Sequence, residues 1–488
     1  MSQNKTIDMT VGSPAKHLLT FMLPMLLGNL IQQLYNMVDT LIVGNYVGTN
    51  QLASVGLCGS TNFLFWSLSS GVSVGIGILV SQAFGAKKEN MVKKAIANSF
   101  YVLGLSSVVV TIIAQILATP ILKILQTKDT LLPDASTYLH ITLLGLIAII
   151  FYNGVSAILR ALGDSKTPLY FLIASSLMNA GLDIFFVLVL NMGVTGVALA
   201  TLISQIFSAV TSLAYAIWKF PYFRVQKEDR RPDSQVILQS FRLGAPVAMQ
   251  NAMIAVSCMV LQGFVNSFGE TVGATYTIVG KLEQLVQQPY GSLGMALTTY
   301  AGQNIGAGKV DRVKKGFRTA TIAALIFSIL LIPVAYLFGE NIIMIFIKKG
   351  DNIADVIAMG RIAIRINALA YFFLGMIYIP RAILNGCGDT GFALINGMTE
   401  VICRILFALV LTGIPGIGFW GIWLTTCLTW TVTGGVCVLR YFSGKWKGKA
   451  KIRDNTAVKE PPEARKGSPV SLEKISSVMN NVKGRHAV

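Results

Sequence analysis

Twelve apolar runs, each long enough to cross a bilayer, fill most of the 488-residue chain: about 18–47, 52–84, 95–118, 137–162, 168–190, 193–218, 243–268, 274–302, 318–340, 359–386, 392–413 and 415–440. A hydrocarbon core about 30 Å thick takes roughly 20 apolar residues per helix. Without water to bond it, a spanning backbone must satisfy itself, which leaves helices and closed barrels. The runs are continuous rather than alternating, so a barrel is excluded. Composition agrees: 53% of residues are hydrophobic and 13% charged, where soluble chains run to about 25% charged. The leader 1–17 is polar and the first run is too long for a signal-peptide core, so that run reads as a helix.

The net charge of +18 invites a nucleic-acid reading, but the basic residues follow the loops. Placing the N-terminus in the cytoplasm puts 32 of the 40 Lys and Arg in inside segments and only Lys123, Lys128, Lys348 and Lys349 outside. By the positive-inside rule both termini are cytoplasmic, in a multi-pass cell-membrane protein. No nucleic-acid partner is expected; anionic lipid is. The six cysteines stand singly in apolar helices, which points to small hydrophobes rather than a disulfide or metal framework. No phosphate-binding loop, nucleophile–base pair or metal cluster supports catalysis, so an enzyme is not expected.

The chain repeats itself at an offset near 221. Gln-Ala-Phe-Gly-Ala-Lys-Lys at 82–88 recurs as Gln-Asn-Ile-Gly-Ala-Gly-Lys at 303–309, and Pro24 with Asn29 as Pro246 with Asn251. After a shift of about four, Leu-Arg-Ala-Leu-Gly-Asp at 159–164 matches Leu-Asn-Gly-Cys-Gly-Asp at 384–389. Both copies place basic loops on one side, which predicts two parallel six-helix lobes about an axis along the membrane normal. The expected divisions are a leader (1–17), an N-lobe (18–218), a linker rich in charge (219–242), a C-lobe (243–440) and a disordered basic tail (441–488).

On these turns, the paired Gln-x-x-Gly-Ala-x-Lys loops, and Pro24 with Asp39, the chain resembles the multidrug and toxic compound extrusion (MATE) family from about residue 12 to 440. The resemblance implies the MATE fold and efflux of small molecules by a protein read as a monomer, with no cofactor beyond a coupling ion, H⁺ or Na⁺. A flippase for lipid-linked sugars, from the same superfamily, is the alternative.

Four acids lie inside spans, clear of their ends: Asp39, Asp183, Glu283 and Glu400. A carboxylate in the bilayer is costly, so each is a functional candidate by default. Asn179 and Asp183 stand four apart and share a helix face; Thr201 adds a hydroxyl. Such an oxygen-rich cluster suits Na⁺ or a shared proton. The resemblance implies a cation site of Asp39, Asn179, Asp183 and Thr201, with Asn153 behind it; Asp39 and Asp183 are the Na⁺ ligands if sodium is the coupling ion. Pro24 removes a helix bond and marks a hinge. Some family members place a Glu in helix 7 and an Asp in helix 10; here helix 7 has no acid, so that second site is doubtful. Glu400 and Arg404 are spaced for an ion pair, whereas Glu283 is free to meet a cationic substrate. Tyr35, Met37 and Asn251 are the other candidates for the substrate wall. Arg365, deep in its span, is the main support for the flippase. The reading favoured is an antiporter expelling amphipathic, cationic compounds.

Overall fold

The computed structural model describes residues 6–125, 127–346 and 353–452. Helices α1 (Pro14–Ile42), α2 (Thr49–Gly85), α3 (Glu89–Ile124), α4 (Leu132–Leu144), α5 (Leu146–Ala161), α6 (Lys166–Ile184) and α7 (Gly193–Lys219) form the first half. The second holds α8 (Ser234–Asn266), α9 (Glu270–Gly306), α10 (Val310–Met344), α11 (Ile353–Gly386), α12 (Gly391–Gly413) and α13 (Gly421–Phe442). Since α4 and α5 make one crossing, Leu132–Ala161, each half has six, and the described residues contain no strand. Eleven crossings are long and apolar enough to span by composition alone. The polar exception is α9, which carries Lys281, Glu283 and three nearby glutamines.

Short-range chemistry sets the helix starts. Asp233 caps α8, accepting from the amides of Gln235 (2.8 Å) and Val236 (3.1 Å), and its carboxylate also meets Lys94 of α3 at 2.5 Å. Asp164 starts α6 in the same way, taking the amides of Lys166 and Thr167 and the Thr167 hydroxyl. A cap of this kind contributes about 1 kcal/mol.

The halves meet along a stripe of small residues. Gly71 and Gly75 of α2 face Ala248 and Gly244 of α8, and a Cβ added at Gly71 would lie 2.2 Å from the Ala248 nitrogen. This small-xxx-small arrangement on both helices lets two backbones touch where lipid supplies no hydrophobic drive. Each half also lends part of a helix to the other's core. Leu18, Phe21 and Met25 of α1 are buried in the second half's cluster, while Val236 and Leu243 of α8 are buried in the first half's. Packing boundaries therefore cross the sequence boundaries at the end of the bundle that carries the basic loops.

That end is closed by two glutamines from the repeated loops. The Gln303 side chain accepts from the Met9 amide (2.8 Å) and donates to the Ala161 carbonyl (2.9 Å). Gln82 accepts from the Lys451 amide (2.8 Å) and donates to the Gly386 carbonyl (2.9 Å). The segments before α1 and after α13 thus strap across opposite halves. The expected disordered tail starts too early in the sequence reading: after α13 a short 3-10 turn, Lys445–Gly448, buries Trp446, and Ile452 joins the first half's core. Burial of these two apolar side chains, with the bonds to Gln82, accounts for the order. Residues 453–488 of the tail lie outside the described residues.

Candidate functional site

The acids of the first half converge. Tyr35 and Asp39 sit one turn apart on α1, as Asn179 and Asp183 do on α6, so each pair presents one face. Asp183 is 0% exposed and Asn179 1%, with Thr201 of α7 also buried. The Asp39 and Asp183 carboxyls are close enough that a proton on either would bond the other, and the Tyr35 hydroxyl reaches Asp39. The same hydroxyl lies 3.4 Å from Thr201 Oγ1, which itself donates to the Val197 carbonyl. Asp39 Oδ1, both Asp183 oxygens and both polar atoms of Asn179 have no hydrogen-bond partner in the protein. Buried polar atoms are ordinarily satisfied, and a set of carboxylate, amide and hydroxyl oxygens suits a hard cation or a proton held between two carboxyls. Just beyond each acid the helix widens into a π-helical turn, Val43–Val47 after α1 and Phe185–Val189 after α6, and the two turns touch. Such turns cluster at functional sites.

Beside this cluster a cavity of ≈ 370 Å³ opens among α1, α2, α5, α6 and α7. Pro24, Tyr35, Asn153 and Asn179 line it, so the wall reaches the cluster through Tyr35 and Asn179. Helix α1 runs unbroken through Pro24, which cannot donate to the Thr20 carbonyl. Most polar lining groups are serines, asparagines and glutamines; the charged exception is Arg160 of α5. Arg160 stands in the last turn of α5. The signal was available, because long helical side chains point back toward the helix N-terminus, which here is up into the cavity.

Other candidates stand elsewhere. Met37 is 55% exposed and outside the cavity wall; it is two residues from Tyr35 and hence on another face. Asn251 of α8 donates to Ser70 Oγ (3.1 Å) and the Ser67 carbonyl (3.4 Å), bridging the halves. Glu283 of α9 bonds Asn367 of α11, in the second half. Glu400 and Arg404 make a buried ion pair at 2.8 Å, and Arg404 also donates to Ser257 (2.8 Å) and Cys258 (2.9 Å). Arg365 packs over the Tyr336 ring at 5.0 Å and donates through Nη2 to the Tyr336 carbonyl, while its buried Nε has no partner in the protein.

The repeat explains the asymmetry. At the offset that aligns Gly163 with Gly388, Asn179 falls on Arg404 and Asp183 on Ala408. Where the first half carries a buried acid and amide, the second carries a covalently tethered cation with its own counter-ion.

The MatE family profile matches residues 24–185 and 246–410. A probable multidrug resistance protein of Bacillus subtilis, YpnP, is 29% identical over 447 residues, covering 91% of this chain and 98% of its own. A probable multidrug resistance protein of Thermotoga maritima, NorM, is 25% identical over 90% and 94% of the two chains. Among solved structures, a MOP-superfamily transporter from Pyrococcus furiosus, described as having a binding pocket of reversed polarity that suggests a different function, aligns with TM-score 0.84 at 23% identity over 91% and 98%. An outward-facing MATE multidrug resistance transporter aligns with TM-score 0.82 at 22% identity over the same shares.

Proposed function

Because the chain belongs to the MatE family of multidrug and toxic compound extrusion transporters, we propose that it is a secondary antiporter, expelling amphipathic small molecules in exchange for H⁺ or Na⁺ bound between Asp39 and Asp183. The observation that carries this reading is the close approach of two carboxyls at the end of a cavity, with polar atoms that no protein group satisfies. A membrane-interior carboxylate pair is expensive unless it binds something.

In this mechanism the basic end faces the cytoplasm and is the closed side. A cation entering from the other side neutralises the repulsion between Asp39 and Asp183 and draws α1 toward α6, with the π-helical turns taking up the change. Pro24 gives α1 a place to bend into the cavity, so cation binding shrinks the substrate's space and drives release. Reopening at the basic end then requires Gln82 and Gln303 to let go of their partners. A bound ion shifts the equilibrium only by its differential affinity for the two states, which the approach of the two carboxyls supplies. The Arg404–Glu400 ion pair fills the equivalent place in the second half, leaving the first half as the part that switches.

The flippase reading leaned on Arg365, whose Nη2 and guanidinium face are held by Tyr336 while its Nε has no partner in the protein. Dye efflux from whole cells tests the antiporter: Asp39→Asn should abolish export while the protein stays in the membrane. Undiminished efflux would remove the site.

A further inference from the structure

Arg160 is the charged residue of the cavity wall, and nothing in the described structure neutralises it. Its guanidinium forms none of the ion pairs present among the described residues. The Asp39–Asp183 pair is remote: from Ser165, which lines the wall near Arg160, to Asn179 is 14 residues of α6, or about 20 Å at 1.5 Å per residue. Tyr152, the neighbouring polar group on α5, gives its hydroxyl proton to the Pro168 carbonyl at 2.9 Å.

The fold does not need this charge. In the repeat Arg160 corresponds to Asn385, a neutral side chain in the same turn. The turn aspartates are satisfied separately: Asp164 by Thr167 and two amides, Asp389 by Arg440 through two bonds of 2.8 and 3.0 Å. A guanidinium at the floor of a cavity rich in hydroxyls and amides, with no acid on the wall, is a fork of donors matched to a carboxylate or phosphate.

We propose that Arg160 is an anion subsite for the transported molecule, so that the cavity takes amphiphiles bearing an acidic group, zwitterions included. This rests on the export reading and narrows its substrate class: one end of the cavity favours positive charge, beside Asp39 and Asp183, and the other favours negative. A zwitterionic amphiphile of cavity length satisfies both.

The test is binding to the purified full chain in detergent, read by fluorescence polarisation with tetramethylrhodamine and its methyl ester, which differ in one carboxylate. Wild-type protein should bind the free acid about tenfold more tightly than the ester, roughly 1.4 kcal/mol. Arg160→Gln should lose that preference while its ester affinity stays within about twofold, and Arg160→Lys, which keeps the charge but not the fork, should fall between. Equal binding of acid and ester by the wild type overturns the proposal without any variant, as do parallel losses of both dyes in Arg160→Gln. A failed preference beside an Asp39→Asn variant that abolishes export removes the subsite and leaves the export reading standing.

Discussion

Gln82 and Gln303 do the same work for opposite ends of the chain. Each accepts an amide from a terminal segment and donates to a carbonyl of the other half, Gln82 joining Lys451 to Gly386 and Gln303 joining Met9 to Ala161. Their neighbours fit as closely: a Cβ at Gly85 would lie 1.9 Å from the Gln303 carbonyl oxygen, and one at Gly306 2.1 Å from that of Gln82.

Each glutamine should therefore hold its own strap. Gln303→Ala should speed hydrogen–deuterium exchange of residues 7–12 and leave 449–452 protected; Gln82→Ala should do the reverse. Leaving buried partners unsatisfied costs about 1–3 kcal/mol. Exchange unchanged in both segments would show that the straps are held by something else.

The buried pair of α12 gives a stability prediction. Arg404→Met strands Glu400 in the protein interior, a loss of about 3–5 kcal/mol, whereas the double change to methionines at 400 and 404 should recover most of it. Thermal midpoints of the two variants in detergent decide this, and a double variant no more stable than the single one contradicts it.

Gly71→Val should force α2 from α8, because the added carbons meet Ala248 backbone rather than a side chain that could move. Overpacking of this kind costs about 1–3 kcal/mol or more. A thermal midpoint lowered by this variant, and untouched by Gly104→Val where a Cβ meets nothing within 4 Å, is the expected contrast. Equal effects would mean the contact is not tight.

At the linker, the Lys94 ammonium beside Asp233 and the α8 amides hold its carboxyl below the usual value of 3.8. A depressed folded-state pKa means a stabilisation fully present above the unfolded value and lost as pH falls through the folded one. The stability difference between wild type and Asp233→Ala, followed through their thermal midpoints, should be flat above about pH 5, amounting to about 1 kcal/mol, and shrink as pH drops below 3.8. A difference that grows on acidification contradicts the assignment.

Spans, repeat and acids were legible because each is a matter of spacing along one helix. Asn179 with Asp183 and Glu400 with Arg404 could be paired by counting to four. Counting also excludes Met37, which lies two residues from Tyr35 and two from Asp39. Beyond its reach was which helix faces which: Asn251 finds Ser70 across the halves, and Glu283 finds Asn367 on α11. The two straps were invisible for a related reason. Met9 and Trp446 sit in stretches too short and mixed to carry a period, and only the glutamines of distant loops give them a place.

The central claim is that Asp39 and Asp183 bind the ion that drives export. Proteoliposomes with independently imposed Na⁺ and pH gradients test it directly, with tetramethylrhodamine methyl ester as the transported dye. Wild-type protein should move dye against its gradient when one of the two ion gradients is present and stop when both are collapsed. Asp39→Asn and Asp183→Asn, incorporated at equal density, should respond to neither. Gradient-driven transport at the wild-type rate by either variant would contradict the account.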